Sequence, residues 1–99
     1  MILLEADSVL FFSQKDEASF FRNLNEISFV KKVSGEGLRI NIVCDEKDVD
    51  LENFLSIYAV FRRYEVSCIQ LQLLLSNMNN DDKNRLSEPS MVWHADIFG

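Results

Sequence analysis

The chain has 99 residues, with ten Lys and Arg against 16 Asp and Glu, giving a formal net charge of −6 and a pI near 4.6. Domains commonly run to about 100 to 150 residues, so residues 1–99 read as one small acidic domain with no room for a second core. The charge balance excludes a general nucleic-acid binder, which needs clustered Lys and Arg to displace counterions from phosphates.

With 47% hydrophobic residues and eight Phe, the chain can bury a core. The first residues, Met1 to Ser8, carry a short apolar run interrupted by Glu5 and Asp7 and preceded by no basic residue. That pattern lacks the charged start and long apolar stretch of a secretion signal, and a cytoplasmic location is expected. No apolar run reaches the length of a membrane span. Cys44 and Cys68 are isolated in sequence and in no metal-ligand spacing, so both are expected to be buried free thiols.

In chain order, Ser8 to Phe12 is a run of β-branched and aromatic residues and predicts a buried strand. Ser13, followed by Asp16 and Glu17, is a helix start: a hydroxyl accepts from free N–H groups and the acids oppose the positive helix end. A helix over about residues 14–25 follows, with Phe20, Phe21, Leu24 and Ile27 on its apolar stripe. Ile27 to Val33 and Leu38 to Cys44 predict two strands joined by a Gly35-Glu36-Gly37 turn, with Leu38, Ile40 and Ile42 sharing a face.

Asp45 to Glu52 supplies five acids and one Lys ahead of a helical pattern in Leu51, Phe54, Leu55, Tyr58 and Phe61, closed by Arg62 and Arg63. Acids at the start and bases at the end both oppose the helix dipole, which supports a helix over about residues 50–64. From Val66 to Leu75 the alternation of Ile69, Leu71, Leu73 and Leu75 with Gln70 and Gln72 favours a strand over a continuation of the helix. Ser76 to Ser90 is a polar connection with one helical turn near Asp81 to Leu86, and its acids have no evident structural need. Met91 to Phe98 reads as a last strand, with His94 and Asp96 on one face about 7 Å apart.

The order β-α-β-β-α-β-β predicts an α+β two-layer sandwich, an antiparallel sheet with two helices on one face. Its first six elements match the split β-α-β order of ferredoxin-like sandwiches, a fold that hosts many activities and so names none.

Several chemical readings fail on detail. Asp48-Val49-Asp50-Leu51-Glu52 resembles the start of a calcium loop, but Asn53 stands where a sharp turn needs Gly and Ala59 where a bidentate Glu is needed. Gly35-Glu36-Gly37 lacks the third glycine and the helix of a dinucleotide site. His94 is the only histidine, so any Ser-His-Asp or Cys-His catalysis would have to pass through it and Asp96. Lys31, Lys32 and Arg39, and separately Arg62 and Arg63, make small basic spots inside an acidic chain.

No metal, cofactor or catalysis is therefore expected. The adjacent pairs Phe11-Phe12 and Leu73-Leu74 point to opposite faces of any strand, which leaves apolar surface for a partner or for loops to cover. Small size, acidity and exposed apolar groups together suggest an inhibitor of the immunity or antitoxin type, neutralising a basic toxin or nuclease domain by direct binding. Its candidate partner-binding residues are Asp45, Glu46, Asp48, Asp50, Asp81, Asp82, His94 and Asp96. The alternative is a homo-oligomeric or small-ligand-binding regulatory module, with a homodimer formed through the open sheet face.

Overall fold

A computed structural model describes all residues 1–99 and shows an α+β fold. Strand β1 (Ile2–Asp7) is followed by helix α1 (Gln14–Asn25), the hairpin β2 (Val30–Glu36) and β3 (Arg39–Cys44), helix α2 (Leu51–Arg63), and two short helices α3 (Asn80–Leu86) and α4 (His94–Phe98). Short 3₁₀ segments at Glu46–Asp48 and Ile69–Leu74 link them. The strands form one antiparallel sheet in the order β1-β3-β2.

The period-2 pattern is clean in the central strand. Ile40, Ile42 and Cys44 of β3 and Leu4 and Ala6 of β1 are buried, whereas Leu3, Asp7 and Arg39 face outward and stay exposed. The buried row meets Phe20 and Leu24 of α1 and Phe54, Ile57, Tyr58, Val60 and Phe61 of α2 in a single core of 23 residues. The helices thus cover one face of the sheet. The other face keeps Arg39 within 2.9 Å of Asp7 and 3.7 Å of Glu5.

Both long helices begin as their sequences dictate. The Ser13 side chain accepts from the Asp16 N–H at 3.1 Å, and the Asp50 carboxylate from the Asn53 N–H at 2.8 Å. The hairpin turns on Gly37 and Leu38 rather than across Gly35 to Gly37. Gly37 has φ +63°, the positive value that the first position of a type II′ turn requires. Leu38 consequently leaves the predicted inward row and stands 80% exposed at the tip.

Three predicted strands are not strands. Ser8 to Phe12 is an irregular segment, and the preceding residues form β1 instead, because Ser8 turns into the left-handed region (φ 53°) and ends the ladder. Val66 to Leu75 contains 3₁₀ helix. In that geometry residues three apart eclipse, so Leu71 and Leu74 fall together into the core and the apparent alternation with glutamine has another solution. Met91 to Phe98 ends in α4, where His94 stacks on Phe98 one turn on, with ring centroids 5.1 Å apart.

The fourth strand of the ferredoxin-like order is therefore missing, and its place on the free edge of β1 is taken by a side chain. The Gln70 amide donates to the Glu5 carbonyl at 2.8 Å and accepts from the Glu5 N–H at 2.9 Å. One glutamine reproduces the pair of hydrogen bonds a neighbouring strand would make and blunts the edge.

Candidate protein-binding surface

The structure gives most of the predicted acidic contacts a local task. Asp45 caps the first 3₁₀ turn by accepting from the Lys47 N–H at 3.0 Å. Glu46 pairs with the N-terminal ammonium at 3.1 Å, Asp48 with Lys31 at 3.1 Å, and Asp50 caps α2. Asp81 and Asp82 lie in the first turn of α3, where they oppose the helix dipole, and the Asp82 N–H donates to Asn79 at 2.8 Å. The acids of this polar stretch thus do have a structural role.

His94 and Asp96 do not share a face. On a helix, residues two apart point in nearly opposite directions. His94 turns to Phe98, while Asp96 accepts from the Tyr58 hydroxyl at 2.7 Å and from Arg62 Nη1 at 3.0 Å. Asp96 is thereby a tether for α4. No group of three or more His, Cys, Asp or Glu side chains is placed to hold a metal ion, and no helix is long and apolar enough to cross a membrane.

A different part of the molecule carries the exposed apolar groups. Beyond β1 the chain runs Ser8-Val9-Leu10-Phe11-Phe12 across one end of the sheet, held to the hairpin tip where the Ser8 N–H donates to the Leu38 carbonyl at 2.9 Å. Phe11 turns inward, its ring 5.3 Å from Phe20 and 5.9 Å from Tyr64. Leu10 and Phe12 turn outward, 66% and 85% exposed. The Asp16 carboxylate fixes this arrangement, accepting from the Phe12 N–H at 3.1 Å and from the Tyr64 hydroxyl at 2.9 Å. Phe12 is thus presented to solvent by a backbone pinned on both sides.

Charged groups of both signs lie around these apolar ones. Leu10 and Phe12 line a cleft of about 270 Å³ with Asp7, Ser8, Arg63, Tyr64 and Glu65. Leu38 lies beside Asp7, Glu36 and Arg39, and Glu17 borders the adjoining hollow. The sequence places Phe11 and Phe12 on opposite faces of a strand, one of them in need of cover by loops or a partner; they do point apart, although the segment is not a strand, and the expected charged contacts lie elsewhere. Asp7, Glu17, Glu36 and Glu65 are scattered along the chain, and only the fold gathers them.

Glu65 has a further peculiarity. The end of α2 is a Schellman motif: the Val66 N–H donates to the Phe61 carbonyl at 2.8 Å and the Glu65 N–H to the Arg62 carbonyl at 3.4 Å. The residue between them must be left-handed, a position usually held by glycine, and here Glu65 occupies it at φ 59°. Ser8 and Glu65 are the only non-glycine residues with positive φ, and both line the cleft beside Phe12.

Both cysteines and both tyrosines titrate high. Burial, aided by Glu46, pushes the Cys44 thiol from 9.0 to about 12, and burial followed by the hydrogen bond to Asp96 pushes Tyr58 from 10.0 to about 12. Burial also raises Cys68 and Tyr64. Both cysteines are buried free thiols, and their raised values keep them protonated and unreactive at neutral pH.

A group whose pKa is higher when folded contributes stability that is complete below its unfolded value and is lost as pH climbs through its folded one. The melting temperature is therefore expected to fall between about pH 9 and about pH 12, with Tyr58→Phe and Cys44→Ala each flattening the decline. Thermal melts across that window, read beside tyrosinate absorbance, check this. A flat profile would show that neither group is desolvated.

Compared with known protein families, curated proteins and solved structures, the chain matches none.

Proposed function

We propose that this protein is a non-catalytic, cytoplasmic binding domain that docks a basic protein through the surface formed by Leu10, Phe12 and Leu38, in the manner of an immunity or antitoxin-type inhibitor. The observation that carries the reading is the pair of adjacent phenylalanines. One is half-buried against the core and the other is held 85% exposed beside Asp7, Arg63 and Glu65. A large apolar side chain kept in water is an anchor for a partner pocket, and the polar groups around it form the rim that excludes water when the complex closes. The remaining acids, Asp45, Glu46, Asp48, Asp50, Asp81 and Asp82 among them, add to the −6 field that draws a basic partner in.

Affinity capture from source lysate with the wild-type chain and with Phe12→Asp tests this. The expected result is a basic protein retained by the wild type alone, with an association rate that falls as salt rises and an activity that the purified chain inhibits. Phe12 makes no core contact, so Phe12→Asp is expected to keep the wild-type circular dichroism and melting temperature. Equal capture by both chains, or a concentration-independent homodimer that buries Phe12, would overturn the reading in favour of another surface or of self-association.

A further inference from the structure

We infer that the outer edge of β2 pairs antiparallel with the β2 edge of a second copy of this chain, Val33 of each strand bonding Gly35 of the other, so that the sheet continues from one molecule into the next. The inference is independent of the binding role proposed above, since none of Leu10, Phe12 and Leu38 belongs to β2.

The two edges of the sheet are finished differently. β3 is central, so its residues bond alternately to one neighbour and to the other. The Ser8 N–H on the Leu38 carbonyl sets the even-numbered residues of β3 towards β1, and the Glu36–Arg39 pair that closes the two-residue turn sets the odd-numbered ones towards β2. In the middle of β1 the backbone groups left pointing outward are those of Glu5, and Gln70 takes both. On β2 they are those of Val33 and Gly35, opposite Ile42 and Ile40, and nothing takes them. The side-chain bonds at this strand are those of Lys31 and Glu36 alone. Lys31, the residue of the bulge, is tied back to Asp48 and to the Ser28 carbonyl, each at 3.1 Å, and leaves the edge beyond it unguarded.

Charge selects the partner and the register. Residues that exchange hydrogen bonds across this edge must both come from the outward pair, so Val33 meets Val33, Gly35 meets Gly35, or Val33 meets Gly35. The first sets Lys32 against Ser34 of the second copy, and the second sets Glu36 against that serine. The third sets Lys32 against Glu36 of the second copy, and the twofold axis through Ser34 repeats the pair. It also makes two bonded pairs across the edge where the others make one. Lys32, Ser34 and Glu36 share the sheet face away from the helices and occupy the positions where opposed side chains lie closest, with Cα atoms about 4.5 Å apart. Lys32 and Glu36 are both exposed; Lys32 has no ion pair within the molecule, and Glu36 has only a long bond from the Asn41 amide at 3.4 Å. The strand is thus complementary to itself in charge as well as in hydrogen bonding.

Such a short edge is a small interface, so the dimer is expected to be concentration-dependent, with a dissociation constant on the order of 0.1 mM. Sedimentation equilibrium of the whole chain from about 10 µM to about 1 mM tests this, with the mass expected to rise from monomer to dimer. Amide exchange followed by NMR is expected to slow about fivefold over that range at Val33 and Gly35, while Ser34 and Glu36, already bonded to β3, keep their rates. Gly35→Pro removes an outward donor that β3 does not use, at a position where an added Cβ meets nothing within 4 Å, and is expected to weaken the dimer at least tenfold. Lys32→Glu and Glu36→Lys, both on exposed side chains, are each expected to weaken it about tenfold, and the two together in one chain to restore it. A chain that stays monomeric to about 1 mM, a dimer that Gly35→Pro leaves intact, or a double reversal that associates no better than the single ones would overturn the inference. If Phe12→Asp abolishes the dimer and Gly35→Pro does not, copies associate through the Phe12 surface, and the edge assignment falls.

Discussion

Replacing Phe20 with alanine is expected to remove about 3 to 5 kcal/mol of stability, enough to leave a domain of this size close to unfolding at physiological temperature. Phe20 is fully buried, and its ring centroid lies 4.9 Å from Tyr64, 5.3 Å from Phe11 and 5.6 Å from Phe21, all in edge-on arrangements. Truncation thus opens a cavity where α1, the end of α2 and the segment after β1 converge. The lost transfer energy adds to the lost aromatic pairings, each about 0.5 to 1.5 kcal/mol. A melting temperature lower by roughly 15 °C or more is the expected reading. Phe12→Ala is the control, since 85% exposure predicts a change within about 0.5 kcal/mol. A loss below about 1 kcal/mol for Phe20→Ala would mean that the aromatic cluster is not the joint between these elements.

The same cluster ties stability to the proposed binding surface. Phe11 rests on Phe20 and Tyr64, and Asp16 bonds both Tyr64 and the Phe12 backbone, so the exposed ring is positioned by the packing beneath it. A partially destabilised variant of the cluster is expected to bind more weakly even while still folded, because the segment after β1 would lose the order that presents Phe12.

The parts legible in the sequence were those with redundant local signals. Helix α1 has a capping serine, acids in its first turn and an apolar stripe, and its bounds agree with the sequence reading. In α2 the Asp50 cap, the terminal arginines and the periodicity agree in the same way. The hairpin was legible except for its turn, where either glycine could supply positive φ and only the pairing of Glu36 with Arg39 selects Gly37.

What misled was period-2 alternation in segments that another period also satisfies. Ile69, Leu71, Leu73 and Leu75 alternate as in a strand, yet the buried pair Leu71 and Leu74 follows the threefold repeat of a 3₁₀ helix, and His94 and Phe98 fit the fourfold spacing of an α-helix as well as that of a strand. β1 escaped notice because its inward residues are only Leu4 and Ala6, while the more apolar run beside it drew the assignment. The proposed binding surface was half legible. The aromatic pair announced a side chain without cover, but the left-handed backbone of Ser8 and Glu65 and the acids around Phe12 exist only once the chain is folded.

The second large effect is expected at Asp96, which joins the C-terminal helix to the rest of the domain. α4 has five residues, too few to hold together alone, and its anchors are the buried Ile97, the Gln72 amide donating to the Ile97 carbonyl at 2.6 Å, and the Asp96 carboxylate on Tyr58 and Arg62. Asp96→Ala leaves the Tyr58 hydroxyl, on a side chain only 9% exposed, without its acceptor, a loss of about 1 to 3 kcal/mol. Arg62, 64% exposed, returns to water at little cost, so the tyrosine bond dominates. Tyr58→Phe in the Asp96→Ala background is therefore expected to recover part of the loss, because it removes the orphaned hydroxyl, whereas Arg62→Ala in that background is expected to change nothing. Double-mutant cycles on thermal stability give the coupling, about 1 kcal/mol for Tyr58 with Asp96 and near zero for Arg62 with Asp96. Hydrogen exchange is expected to show residues 94–98 losing protection in Asp96→Ala while β3 and α1 keep theirs, since the core of those elements does not depend on the tether. Uniform loss of protection across the sheet would instead make Asp96 part of the global fold, and α4 would be an integral element rather than a tethered one.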